Sequence, residues 1–504
     1  MSTTKNRLII GAAWIGASKI LINIIGFVST LLLARLLAPA DFGLVAIASA
    51  VAMIFALITE LSLSQALVQH DEPTDEHYHT AFTLNLIRGV VLTIIVGLLA
   101  WPIAKFYNDD RIFKIILGLA IGIFAGGLVN PRLAIFERNL EFRPLFLLNL
   151  AGKIAGFVVA ISIAFIFRSY WALVFGQIAS EVARAIASYI LLRYRPRLSL
   201  SHYKELISFS IWLTLGQAVQ AVNWRSDPLV LGAFVPTPVL GQFSMGGKIV
   251  SLSIANILQP VSQVLFPAFS RLKHEPDRLR AAYLRSQGLL TLVGVPIGVG
   301  VAATAAPLTA LLLGEKWTGA VIVIQMLALS AIMPRLVSVN AIAMATGQTK
   351  ALFGRDVRAL LIRLPLVLGG MYLAPELGIS IIFGALIGIF LSAIANAIWN
   401  IQLVSQVTSV TIVDQMKIIW RPVLSGSIMG ITLLHIQTLW PNVNATIDKI
   451  ITLVSLVSLG ALLYFAAIAI LWIFSGRPKS AELESVQMAR ATITRLWGLL
   501  KRQK

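Results

Sequence analysis

IIGAAWIGASKILINIIGFVSTLLLA, residues 9–34, holds a single charged side chain, Lys19, in a run long enough to cross a bilayer as a helix. Runs of this kind recur along the whole chain. Of its 504 residues, 58% are hydrophobic and only 12% charged, with a mean hydropathy of +0.85. Soluble domains carry about a quarter of their residues as charges, and half that density cannot coat water-facing domains. The expected fold class is therefore an all-α integral membrane protein of about fourteen transmembrane helices. We place them at 9–34, 42–68, 81–104, 112–136, 145–167, 171–192, 208–234, 240–269, 286–313, 320–346, 358–374, 379–403, 418–440 and 450–474. The longest stretches left over are 475–504, 270–285 and 69–80, so no soluble catalytic domain fits.

The absence of cysteine excludes disulfides, thiol catalysis and Cys-ligated metal. A net charge of +19 could suggest nucleic acid; in a membrane chain it reads instead as topology and buried cation, and no nucleic-acid partner is expected. With the N-terminus inside, the 41 Lys and Arg divide into 24 on the inner side, 7 on the outer and 10 in the spans. Lys114 and Arg358, at span edges, are counted with their adjoining loops. That asymmetry puts both ends in the cytoplasm. Lys5 and Arg7 precede a first run longer than a signal peptide, which is expected to be a retained span.

The spans group as six, six and two. The expected organisation is an N-terminal lobe at 1–196, a basic amphipathic linker at 197–207, a second lobe at 208–410, two extra helices at 411–474, and a basic tail at 475–504. In the junction, Leu200, Tyr203, Leu206 and Ile207 are available to lie on the membrane surface, and the tail has an apolar stripe flanked by Arg and Lys. Internal echoes support the division. Gly43 recurs as Gly241 and SQALV (64–68) as SQVLF (262–266), both at an offset of 198; Pro131-Arg132-Leu133 recurs as Pro334-Arg335-Leu336. Duplicated bundles are a common way to build a central transport site.

A charge at the bilayer centre costs about 2.5 kcal/mol or more, so each needs a partner, a wet cavity or a route to the surface. Arg363 and Arg421 lie near cytoplasmic ends and are expected to snorkel, and Glu181 and Arg184 are spaced to pair on one helix. Lys19, Arg88, Arg132, Lys153, Arg225, Lys248 and Arg335 remain, against Glu60 and Asp227. An anionic substrate would balance this excess; the alternative for any one of them is a structural bond to backbone carbonyl or lipid phosphate. Helical spacing puts Lys19, Asn23, Gly26 and Thr30 on one face, then Asn149 with Lys153, then Gln217, Gln220, Trp224 and Asp227, then Ser244 with Lys248. Such faces suit phosphate and sugar, or act as interhelical glue. Gly118, Gly122 and Gly126, like Gly384 and Gly388, are expected to permit close helix approach. Gly246-Gly247-Lys248 lacks the spacing of a phosphate loop. His70, His77 and His79, among four acids, read as a solvated loop and not as a metal site.

WIGASKILINIIGFVSTLLLARLLAPADFGLVAIA (14–48), ELSLSQALVQ (60–69), NPRLAIFERNLEFRPL (130–145) and SYWALVFGQIASEVARAI (169–186) resemble polysaccharide flippases of the Wzx type, in the multidrug/oligosaccharidyl-lipid/polysaccharide exporter superfamily. The likeness is specific over the first six spans. It implies two six-helix lobes and two further helices, and a transporter instead of an enzyme. The substrate it implies is an undecaprenyl-diphosphate oligosaccharide, carried across the bacterial inner membrane for O-antigen, capsule or exopolysaccharide. Arg88, Lys153, Arg225 and Lys248 become candidates for the diphosphate. Glu60 and Asp227 become candidates for H+ or Na+ coupling, with no other cofactor; membrane lipids and polysaccharide polymerase machinery become candidate partners. A peptidoglycan-precursor flippase, a multidrug exporter and a membrane-embedded polymerase are the competing readings.

Overall fold

A computed structural model describes residues 2–59, 63–70, 72–255, 265–439 and 446–477. The chain forms two compact units, Met1–Ser244 and Met245–Lys504. The first contains α1 (Ser2–Leu36), α2 (Pro39–Ile58), α3 (Leu63–Gln69), α4 (Asp75–Phe106), α5 (Asp110–Gly127), α6 (Ala134–Arg138), α7 (Phe142–Phe167), α8 (Trp171–Leu191), α9 (Tyr203–Gly232) and the start of α10 (Thr237–Val250). The second contains α11 (Pro276–Ala303), α12 (Ala305–Leu312), α13 (Ala320–Ile332), α14 (Asn340–Ala345), α15 (Thr349–Leu373), α16 (Ile381–Val407), α17 (Ile412–Leu439) and α18 (Thr446–Phe474). Among the described residues, nine helices are long and apolar enough to span, or ten if α5 and the bent stretch after it count as one. The chain is thus an all-helical, multi-pass membrane protein. The nine or ten fall short of fourteen partly because α9 and α15 carry polar and charged residues along their length, such as Arg225 and Asp227, or Arg355, Asp356, Arg358 and Arg363.

Helices are the expected outcome where no water can satisfy a free backbone amide. Their apolar surfaces face outward as well as inward: Phe165, Leu98 and Ile190 are 74%, 72% and 76% exposed, which suits lipid and not water. Ends are set by polar residues. Pro39 opens α2, where the Asp41 carboxylate accepts from the Ala38 N–H at 2.9 Å. Asn130 does the same for the turn at Pro131, accepting from the Arg132 N–H at 2.9 Å. Both copies of the Pro-Arg-Leu echo fall in 3-10 turns that interrupt a span, at Pro131–Leu133 and Met333–Arg335. The second copy of the SQALV echo runs across residues outside those described.

Small residues set the close crossings. A Cβ on Gly43 would fall inside the contact shell of the Thr237 carbonyl and 3.0 Å from the Gly241 nitrogen. One on Gly241 would strike the Pro39 carbonyl and lie 3.1 Å from the Gly43 nitrogen. The contact is therefore reciprocal, each echoed glycine lying against the turn that precedes the other. Gly384 meets Gly370 in the same way, and Gly118 lies against Val174, so the packing role expected of these residues holds.

Three local expectations change. The stretch 69–80 is not all loop: α4 starts at Asp75, where Asp75 and Glu76 occupy a first turn that favours acids. His77 and His79 are buried there, at 4% and 9% exposure, so the solvated reading fails for both. In the junction, 193–200 is non-helical and Leu206 packs against Leu63, Leu67, Tyr78 and Tyr194; Leu200 and Tyr203 stay exposed. Arg421 does not reach the surface, being 4% exposed in α17. Most of the tail, 478–504, lies outside the described residues.

In the second unit Arg355, 6% exposed, donates to Asn400 Oδ1 at 2.8 Å, Asn340 Oδ1 at 3.1 Å and Asp356 Oδ1 at 2.6 Å. The Asn400 amide in turn donates to the Pro334 and Val337 carbonyls, both at 3.3 Å. Replacing Asn400 by Leu strips one acceptor from a buried guanidinium and the donor from two carbonyls. We expect a loss of about 3 kcal/mol, seen as a lowered unfolding temperature in detergent. An unchanged temperature would remove the network from the stabilising contacts.

Candidate functional site

The expected polar face of α1 is met by α7. Gly26 leaves the space into which Lys153 reaches: a Cβ there would lie 3.1 Å from Lys153 Cε and 3.2 Å from Nζ. Thr30 donates to the Gly26 carbonyl at 2.8 Å and is buried, whereas Lys19 and Asn23 are half-buried on the same helix. On its other flank α7 presents Gly152 and Gly156 to α8, where Arg184 pairs with Glu181 at 3.1 Å. Asn149 is exposed. Among the described residues, Lys19 and Lys153 have no carboxylate partner.

Two of the remaining cations of this unit are put to structural use. Arg88 donates to the Ala56 carbonyl at 2.6 Å and to Thr59 Oγ1 at 3.3 Å, at the C-terminal end of α2. A guanidinium there answers both the unfilled carbonyls and the negative end of the helix dipole. Arg132 pairs with Asp75 at 2.8 Å and lies over the Tyr78 and Tyr194 rings at 5.8 and 5.9 Å. Arg225 is exposed and Asp227 half-buried on α9. The side chains of Gln217, Gln220 and Trp224, and Glu60 entirely, lie outside the described residues. In the second unit Lys248 is exposed, and Arg335, half-buried, donates to the Ala331 carbonyl at 2.5 Å.

A cleft of about 400 Å³ lies beside α2, lined by Val51, Phe55, Leu99, Phe106 and Leu229. Tyr107 closes one side by donating to the Leu229 carbonyl at 2.8 Å. Apolar walls of this kind suit a hydrocarbon chain, and the α1–α7 face suits an anion. Arg355 and Arg421 are buried cations that the sequence reading did not single out as interior groups. For Arg355, the adjoining Asp356 was the available signal.

A chain of helices long and apolar enough to span a bilayer, nine or ten of them among the described residues, is a multi-pass membrane protein in architecture. It belongs to the polysaccharide biosynthesis protein family, whose pattern it matches over residues 32–322, more than half its length. The chain is 23% identical over 367 residues to the teichuronic acid biosynthesis protein TuaB of Bacillus subtilis (strain 168), covering 72% of this chain and 76% of that one. It is 22% identical over 386 residues to the lipopolysaccharide biosynthesis protein WzxC of Escherichia coli (strain K12), covering 75% and 78%. The inward closed structure of the lipid II flippase MurJ superposes with a TM-score of 0.72 at 13% identity, over 92% of this chain and 99% of that one. The resemblance to Wzx-type flippases is borne out.

Proposed function

We propose that this protein is a flippase that carries an undecaprenyl-diphosphate-linked oligosaccharide from the inner to the outer leaflet of the bacterial cytoplasmic membrane, with both termini in the cytoplasm. Membership of the polysaccharide biosynthesis family over 32–322 is the observation that carries this reading. The names of its relatives place them in teichuronic acid and lipopolysaccharide synthesis. Surplus membrane cations and scarce membrane acids agree with a diphosphate cargo and disfavour a cationic drug. Lys19, Lys153 and Arg225 are our first candidates to receive the diphosphate, with Lys248 and Arg335 from the second half. Arg88 and Arg132 drop behind them, because each already serves a helix end or an ion pair. The six-plus-six-plus-two organisation, alternating access, coupling to H+ or Na+ through Glu60 or Asp227, and delivery to a polymerase complete the proposal.

The test is reconstitution. Purified protein in liposomes receives a fluorescent undecaprenyl-diphosphate saccharide, and a membrane-impermeant quencher reports the protected fraction. Protein-dependent exchange between leaflets is the expected result. Failure to exceed empty liposomes across several glycans, with the peptidoglycan precursor moving instead, would keep the fold and overturn the substrate.

A further inference from the structure

Three histidines and one carboxylate meet at the start of α4. His70 follows α3, His77 lies in the first turn of α4, and His202 and Glu205 flank the start of α9. His70 Nε2 is 2.8 Å from Glu205 Oε1, and His77 Nε2 is 3.4 Å from Glu205 Oε2. The ligating atoms of His70, His77 and Glu205 all lie within 4.8 Å of one another. The His77 side chain is 95% buried by its 5% exposure, yet its Nε2 has no hydrogen-bond partner. It is a buried nitrogen aimed at a carboxylate that it does not properly reach. The His202 ring stacks on His77 at 3.8 Å, with Nδ1 3.6 Å from Glu205 Oε2.

We propose that His70, His77 and Glu205 form a binding site for a divalent transition metal of the zinc class, which ties the connection between α3 and α4 to the first turn of α9. Zinc takes imidazole nitrogen and carboxylate oxygen at about 2.0–2.2 Å. Tetrahedral geometry then separates its ligand atoms by roughly 3.3 Å, close to the 2.8 and 3.4 Å found here. Two imidazoles and a carboxylate supply three positions, and the fourth is open to water.

Metal binding requires a change in the outer contacts of both histidines. A metal-bound histidine donates its other ring N–H. His77 Nδ1 lies 2.7 Å from Thr74 Oγ1, a hydroxyl that can turn to accept. The change falls on two longer contacts at 3.2 Å, from the Thr74 N–H to His77 Nδ1 and from the Glu72 N–H to His70 Nδ1.

This inference is independent of the transported substrate. The experiment titrates Zn2+ into the untagged, detergent-purified full chain by calorimetry, with Co2+ as a spectroscopic probe. We expect one equivalent per chain and the visible bands of a four-coordinate Co2+ site. His70→Ala and Glu205→Gln are each expected to weaken binding by at least about tenfold, the low end of what losing even an outer partner costs. His274→Ala, on an exposed histidine of the second unit, should bind as the parent does. Zn2+ should also raise the unfolding temperature of the parent, reversed by chelator, and leave that of His70→Ala unchanged. A parent chain that binds no Zn2+, or one whose His70→Ala and Glu205→Gln variants bind equally well, would overturn the site and leave a plain histidine–carboxylate contact.

Discussion

Gly43→Ala is expected to destabilise the chain by about 3 kcal/mol or more, at or above the upper end of what overpacking a close-packed contact costs. The added methyl meets the Thr237 backbone carbonyl, not the end of a flexible side chain, so only a shift of whole helices can relieve it. Gly241→Ala meets the Pro39 carbonyl and should cost a similar amount. The double variant should cost less than the sum, since one separation of the helices relieves both collisions. Unfolding temperature in detergent is the readout, and leaflet exchange should fall with it. Gly300→Ala is the control: nothing lies within 4 Å of its Cβ position in α11, so the change should be neutral or add up to about 1 kcal/mol through helix propensity. Wild-type stability in Gly43→Ala would mean that the crossing is not as close as described.

The same pair of glycines marks how far the sequence could be read. Their common offset was visible in the chain, and so were the Pro-Arg-Leu copies, because a repeat keeps residues whose backbone role recurs. Apolar runs pointed to the nine or ten spanning helices found among the described residues, for the reason that lipid leaves the backbone no alternative to helix; the full count of fourteen goes beyond them. The face shared by Lys19, Asn23, Gly26 and Thr30 followed from the 3.6-residue period, and the α1–α7 contact through Gly26 agrees with it. Periodicity along one helix is silent about the helix opposite. That Arg88 would be used on the last carbonyls of α2, or that Arg421 would be buried, depends on tertiary partners that no local pattern names. The histidines show the limit most clearly. His70 and Glu205 are separated by 135 positions, so a charged loop read alone looked solvated, while the fold closes it on a carboxylate from α9.

Lys153→Ala is expected to slow flipping of a diphosphate-linked substrate by roughly thirtyfold while leaving the protein folded. The rate loss corresponds to about 2 kcal/mol, the range of a hydrogen bond to a charged group, at 1.4 kcal/mol per factor of ten. Stability should change little, because the ammonium end of Lys153 rests against Gly26 and has no carboxylate partner among the described residues. Lys153→Arg keeps the charge and should retain a part of the activity. Lys153→Glu places an anion against the diphosphate and should abolish it. Arg88→Ala supplies the contrast: it frees carbonyls at the end of α2, so unfolding temperature and transport should fall together. A Lys153→Glu variant that flips the substrate at the parental rate would take the α1–α7 face out of the transport path. A variant series in which rate follows the charge at position 153, with stability constant throughout, would assign that face to the phosphate.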